Sequence, residues 1–193
     1  QFGQPADMTA LTAIAKKHGL KIIEDAAQAH GAVWESGPVG SLGDAAGFSF
    51  QSAKNLTCGE GGLLTTNDDD VFDRAYMLHN AGRLPEVGGR WEHEVLGWNC
   101  RPTEYQAALL LHRFGRFERQ QEIRARNFAK LRELMQDVRC LRPLEVHPGV
   151  KRHGMYMFVL RYHSENCGGV SLDDFMQAAG AEGAPLYRCY AST

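Results

Sequence analysis

Asp25 and Lys54 are the ionisable residues whose surroundings give them chemical work. Each follows a run that reads as a β-strand: Leu20-Lys21-Ile22-Ile23-Glu24 before Asp25, and Ala45-Ala46-Gly47-Phe48-Ser49-Phe50 before Lys54. In open α/β sheets, ligands bind just beyond the carboxyl ends of strands. Alone, neither residue is informative, because an aspartate after a strand ordinarily caps a turn and a lysine beside glycine ordinarily faces water. Lys54, however, is set among small residues (Ser49, Ser52, Ala53, Gly59 and Gly61), which lets a planar ligand approach the backbone. A lysine kept in such a pocket can lose its proton and form a Schiff base.

Other chemistries fail on spacing. Gly37-x-x-Gly40-x-x-Gly43 is not G-x-G-x-x-G and does not sit at a strand-to-helix turn; no G-x-x-x-x-G-K-[ST] occurs. Ser49 has no G-x-S-x-G frame, so a nucleophile elbow is unsupported. The five cysteines (Cys58, Cys100, Cys140, Cys167, Cys189) are widely spaced with no C-x-x-C, which argues for reduced thiols in a cytoplasmic protein. His93-Glu94 comes nearest to H-E-x-x-H, but Gly97 stands where the second histidine belongs, so no metal site is expected.

The elements that must position these residues are legible in outline. Asp7 caps a helix, MTALTAIAKKHG, in which Met8, Leu11, Ile14 and Ala15 share a face, and Gly19 stops it. The strand ending at Asp25 follows, then a turn-rich stretch through Gly31, Gly37, Pro38, Gly40 and Gly43. After the strand at 45–50 and Gly59-Glu60-Gly61-Gly62, Leu63-Leu64-Thr65-Thr66 reads as a third strand. Asn67 or Asp68 caps a helix to about His79, ended by Asn80-Ala81-Gly82. Residues 83–102 read as a long loop, of a length more often functional than decorative. Thr103 and Gln106 form a capping box for a helical tract reaching about Gln136, with Gly115 as its bending point. Beyond Pro143 and Pro148, Met155-Tyr156-Met157-Phe158-Val159-Leu160 reads as a strand, Ser171-Leu172-Asp173-Asp174 opens a helix, and Ala184-Pro185-Leu186-Tyr187 begins a last strand. The order predicts an α/β fold with an α+β tail.

With 193 residues, 23 acidic against 21 basic, the chain suits one domain or one plus part of another. A net charge of -2 gives no electrostatic case for nucleic acid. No apolar run approaches the roughly 20 residues of a membrane helix, and no signal segment opens the chain. Beginning at Gln1 rather than Met, the sequence is expected to be a fragment or a processed product.

Glu24-Asp25-Ala26-Ala27-Gln28-Ala29-His30-Gly31, Gly43-Asp44, Phe48-Ser49-Phe50, Lys54-Asn55-Leu56 and Gly59-Glu60-Gly61-Gly62 together closely resemble the DegT/StrS family of sugar aminotransferases, fold-type-I enzymes that use pyridoxal phosphate. Leu96-Gly97-Trp98-Asn99-Cys100-Arg101, Gln106-Ala107-Ala108, and Ala181-Glu182-Gly183 with Tyr187 continue the match in order. The resemblance implies the carboxyl-side part of a pyridoxal phosphate-binding large domain over 1–115, with a mixed, mostly parallel sheet between helices. It implies a linking helix and partial small α+β domain over 116–193, cut at both ends. It implies transfer of an amino group from glutamate or glutamine to a keto sugar or ketocyclitol, in a homodimer with a shared active site and with no nucleic-acid or membrane partner.

The family's roles carry over residue by residue. Asp25 matches the carboxylate that keeps the cofactor's pyridine nitrogen protonated, as an electron sink requires. Lys54 matches the lysine that bonds the cofactor and, once released, moves the proton between the two imine carbons. Gln28 matches a contact to the cofactor ring and its phenolic oxygen, Ser49 a hydroxyl donor to the phosphate, and Asn99 an asparagine reaching the phosphate from the neighbouring subunit. His30 also matches a family position and is read as structural. Gln51 stands where many members carry histidine, as in the branch acting on ketocyclitols and aminodehydroquinate-like substrates. Cys100 and Pro102 replace a more usual aromatic and methionine, and His153-Gly154-Met155-Tyr156 lacks the second histidine often found there. Family members are nearly twice this long, so the chain carries the lysine and the aspartate but not the whole cofactor cup. Two alternatives stand beside transamination: a non-catalytic, cofactor-binding fragment or regulatory module, and a dehydratase branch, which carries histidine at the lysine position and so disagrees with Lys54.

Overall fold

The computed structural model describes residues 1–84 and 93–190. They form two compact units: residues 1–123 with 146–156, and residues 124–145 with 157 onward.

The first unit opens with helix α1 (Met8–His18). Asp7 accepts the Ala10 N–H at 2.9 Å at its start, and Gly19 ends it with φ 62° and its N–H on the Ala15 carbonyl. That left-handed position is one a Cβ would strain. Met8 and Ala15 are buried, while Leu11 and Ile14 remain exposed, so only part of the expected apolar face is covered. Strand β1 (Ile23–Asp25) is shorter than the Leu20–Glu24 run suggests, and Asp25 is its last residue. Asp44 trims the start: its carboxylate accepts the Ile22 N–H at 2.8 Å and pairs with Lys21 at 2.8 Å.

The glycine-rich stretch after β1 holds two strands that its composition conceals, β2 (Val33–Trp34) and β3 (Gly37–Pro38). Strands β4 (Ala45–Ser49) and β5 (Gly62–Thr66) follow as expected, and helix α2 (Asp69–His79) begins at an Asp68 cap. The expected continuous helix from Thr103 is two: α3 (Glu104–Phe114), with the Thr103/Gln106 capping box in place, and α4 (Phe117–Leu134). Gly115 and Arg116 separate them, a break rather than a bend. The first unit closes with β7 (Val150–Arg152), which comes after β6 (Leu141–Pro143) of the second unit.

Two sheets organise the first unit. One has the order β1-β4-β5, parallel between β1 and β4 and antiparallel between β4 and β5; the other, β3-β2-β7, is antiparallel. Glu24 fastens the turn between them. It points away from solvent and its carboxylate accepts three backbone N–H groups, from Gly40 (3.0 Å), Leu42 (2.7 Å) and Gly43 (2.8 Å). Hydrogen bonds to a charged acceptor contribute about 1.5–3 kcal/mol each, so this one side chain fixes the path on which β4 depends. Phe50, Leu56, Cys58 and Phe117 form the buried cluster beneath the end of β4, with Leu110 packed on it.

In the second unit β6 pairs antiparallel with β8 (Leu160–Tyr162), and helix α5 (Leu172–Ala181) starts at a Ser171 cap. The expected strand over 155–160 is confined to β8, three residues from Leu160, because only there does a partner strand run beside it. The expected strand at 184–187 is irregular backbone. No helix among the described residues is long and apolar enough to cross a membrane.

Candidate functional site

Register decides which side chains meet. Asp25 pairs with Gly47, Gly47 with Leu64, and Ser49 with Gly62. Paired residues, and alternate residues along a strand, share a face of a sheet. Ile23, Asp25, Gly47, Ser49 and Leu64 therefore lie on one face, and Glu24, Ala46 and Phe48 on the other. The first face is open: Ile23 is 80% exposed, Leu64 is exposed, and nothing stands within 4 Å of where a Cβ on Gly47 would project. A flat floor thus runs between a carboxylate and a hydroxyl.

Asp25 is exposed, and its Oδ1 accepts the Ala27 N–H at 3.1 Å. Ser49 Oγ accepts the Gln51 N–H at 3.2 Å, which leaves its own proton to donate. Past β4 the chain turns at once, with the Lys54 N–H on the Gln51 carbonyl at 2.9 Å. The Gln51 side chain is turned back into the same bend, accepting the Ala53 N–H and donating to Ser52 Oγ. Lys54 is half-buried, its Nζ 4.8 Å from the centroid of the Tyr156 ring. Gln28 lies in the turn after β1, where its Oε1 accepts the Phe2 N–H at 2.8 Å.

Asn99 lies elsewhere. It is exposed, bridges Asn80 after α2, and its contacts are to that residue and to the Arg101 N–H; among the described residues none reaches Asp25, Ser49 or Lys54. Arg101 donates to Asn80 Oδ1 at 2.7 Å. Residues 85–92 of the 83–102 loop, Trp91 among them, lie outside the described residues.

His30 is 4% exposed, tilted against Phe48 (5.5 Å between centroids) and Phe50 (6.1 Å). Neither ring nitrogen makes a well-formed hydrogen bond, although the Ser49 carbonyl lies close enough to favour a proton there. Burial pushes its pKa down, the Lys54 charge adds to this, and the Ser49 carbonyl opposes it. A native imidazole held neutral binds fewer protons than the unfolded one once pH falls below about 6.5. Stability then drops with falling pH, by at most about 1.4 kcal/mol per unit, until His30 itself charges; above about 6.5 there is no contribution. Urea denaturation should show a flatter acid limb for His30→Leu than for wild type. Parallel limbs would show that His30 titrates normally.

Tyr156 is the contact that reasoning from sequence missed. Its run, 155–160, has strand composition, and only the fold brings a segment some hundred positions away onto Lys54.

Compared with known proteins, residues 1–192 match the family model described as the DegT/DnrJ/EryC1/StrS aminotransferase family. The L-glutamine:2-deoxy-scyllo-inosose aminotransferase of Streptomyces fradiae is 37% identical over 199 residues, covering 98% of this chain and 47% of its own length. The pleiotropic regulatory protein of Geobacillus stearothermophilus is 43% identical over 137 residues, or 70% of this chain and 36% of its own. A DegT DnrJ EryC1 StrS aminotransferase from Brucella abortus has a similar crystal structure, with a TM-score of 0.82 at 30% identity, over 95% of this chain and 46% of that one. The chain spans less than half the length of the curated relatives it matches.

Proposed function

The chain belongs to the DegT/DnrJ/EryC1/StrS aminotransferase family, and on that premise we propose that it is the lysine-bearing part of a pyridoxal phosphate-dependent aminotransferase. The reaction moves an amino group from glutamine or glutamate to a keto sugar or ketocyclitol. The observation that carries this reading is the shared open face of Asp25, Gly47 and Ser49, with Lys54 on the turn that leaves it. The name of the Streptomyces fradiae relative, with a glutamine donor and an inosose acceptor, supports the substrate class.

The donor set fits pyridoxal phosphate. An exposed carboxylate suits a protonated ring nitrogen, a bare glycine floor suits a flat ring, a hydroxyl suits a phosphate, and a primary amine suits an aldehyde. When bound, the cofactor supplies an electron sink for the carbon from which a proton is removed. Asp25 would keep a proton on the ring nitrogen by its charge. Lys54 would hold the cofactor through Nζ, and the freed Nζ amine would carry the proton from the donor's α-carbon to the neighbouring carbon. Gln28 is oriented by the Phe2 N–H and would contact the phenolic oxygen; Ser49, whose Oγ accepts the Gln51 N–H, would donate to the phosphate.

Asn99 serves the site of a second subunit in this reading. It is exposed, and its side chain accepts the Arg101 N–H rather than reaching Asp25, Ser49 or Lys54. A mixed dimer tests it. Lys54→Ala subunits, which keep Asn99, are exchanged with subunits that keep Lys54 but carry Asn99→Leu. Sharing across the dimer restores activity at one site of each heterodimer; two folded, inactive variants that recover nothing on mixing would refute it. Free thiols at all five cysteines agree with a cytoplasmic setting.

A non-catalytic regulatory module is the second reading, favoured by the name of the Geobacillus stearothermophilus relative. A screen of keto sugars and ketocyclitols with glutamine as donor separates the two: turnover supports the enzyme, and cofactor binding without turnover of any ketone supports the module.

A further inference from the structure

We propose that Tyr156 is a positioning residue for Lys54, its ring face holding Nζ while that group is a free ammonium, before the cofactor is bonded and between taking up the proton and returning it; the proposal rests on the aminotransferase reading of Lys54. The distance of 4.8 Å from Nζ to the ring centroid lies within the ~6 Å reach of a cation–π contact. Among the described residues Lys54 makes no ion pair, so this ring is the partner its charge has. An aromatic face directs an ammonium without a counter-charge that must be given up when the amine reacts.

The backbone that presents Tyr156 is built for a fixed position. Met155 has φ 53°, a left-handed conformation that is strained for a non-glycine residue and persists only where neighbours impose it. Asn55 Nδ2 donates to the Gly154 carbonyl at 2.7 Å and to the Met155 carbonyl at 3.1 Å. Gln121 Nε2 donates to the same Gly154 carbonyl at 3.0 Å, the Gly154 N–H donates to the Gly3 carbonyl at 2.6 Å, and the Met155 N–H donates to His153 Nδ1 at 2.9 Å. Asn55 directly follows Lys54 in the chain. One short segment therefore carries the lysine and also pins the turn that carries its aromatic partner, so the two keep a common register. A lysine side chain has rotamer entropy to lose on being aimed, and a cation–π contact of ~0.5–2 kcal/mol offsets part of it.

The test begins without cofactor. Reductive dimethylation with 13C-formaldehyde preserves the charge on each lysine, and the Lys54 signal is assigned by its absence from Lys54→Arg. In the intact protein that methyl signal should lie upfield of the exposed lysines, shifted by the ring current of Tyr156. Tyr156→Phe should keep the shift and Tyr156→Leu should abolish it, both with unchanged circular dichroism. With cofactor and substrates, Tyr156→Leu should lower kcat by roughly 2- to 30-fold with KM little altered, and Tyr156→Phe should restore it. An unshifted wild-type signal, or a shift that survives Tyr156→Leu, overturns the contact. A shift that behaves as expected in a protein whose Lys54 never bonds the cofactor overturns the role through the failure of the aminotransferase reading, which borohydride fixation detects independently.

Discussion

Lys54→Ala in the intact protein should abolish transamination while leaving the fold intact. The side chain is half-buried and its contact is with one aromatic face, so truncation opens no core cavity and leaves no buried N–H without a partner. The chemical step loses both its covalent anchor and its proton carrier. A general base alone is worth roughly 10²–10⁴-fold, so kcat should fall by at least that much. Urea denaturation should show stability close to wild type. Turnover at wild-type level in a folded Lys54→Ala protein would remove Lys54 from the mechanism.

Asp25→Asn should separate binding from turnover. Asp25 is exposed at the end of β1, and an asparagine Oδ1 can still accept the Ala27 N–H, so the turn survives. Lys54 remains able to bond the cofactor, and the protein should stay coloured. Without the carboxylate's charge the ring nitrogen loses its proton and the ring draws electrons poorly. Turnover should drop by at least the roughly 10²–10³-fold seen when a preorganised electrostatic group is removed. Nearly unchanged turnover would mean that Asp25 does no more than close a turn.

Local signals were legible wherever a side chain meets its own backbone. The Asp7, Thr103 and Ser171 caps and the Gly19 stop are where the sequence puts them, and of Asn67 and Asp68 it is Asp68 that caps α2, because capping is decided within four residues. What depends on distant partners was not legible. Strands β2 and β3 hide in a glycine-rich stretch because their pairing with each other and with β7 supplies what their propensity does not. Residues 155–159 have strand composition without a partner strand. For the site, Asp25 and Ser49 were nameable from motif order, but their common open face follows from the parallel register of β1 on β4, and the Tyr156 contact from a turn held by Asn55 and Gln121.

The central claim is that Lys54 is the residue that bonds pyridoxal phosphate. Borohydride reduction of the cofactor-loaded intact protein, followed by digestion and peptide mass mapping, tests it directly. The cofactor's mass is expected on the peptide containing Lys54, together with loss of visible absorbance. Cofactor found on Lys16, Lys21 or Lys151 instead, or fixed to no peptide at all, would contradict the account.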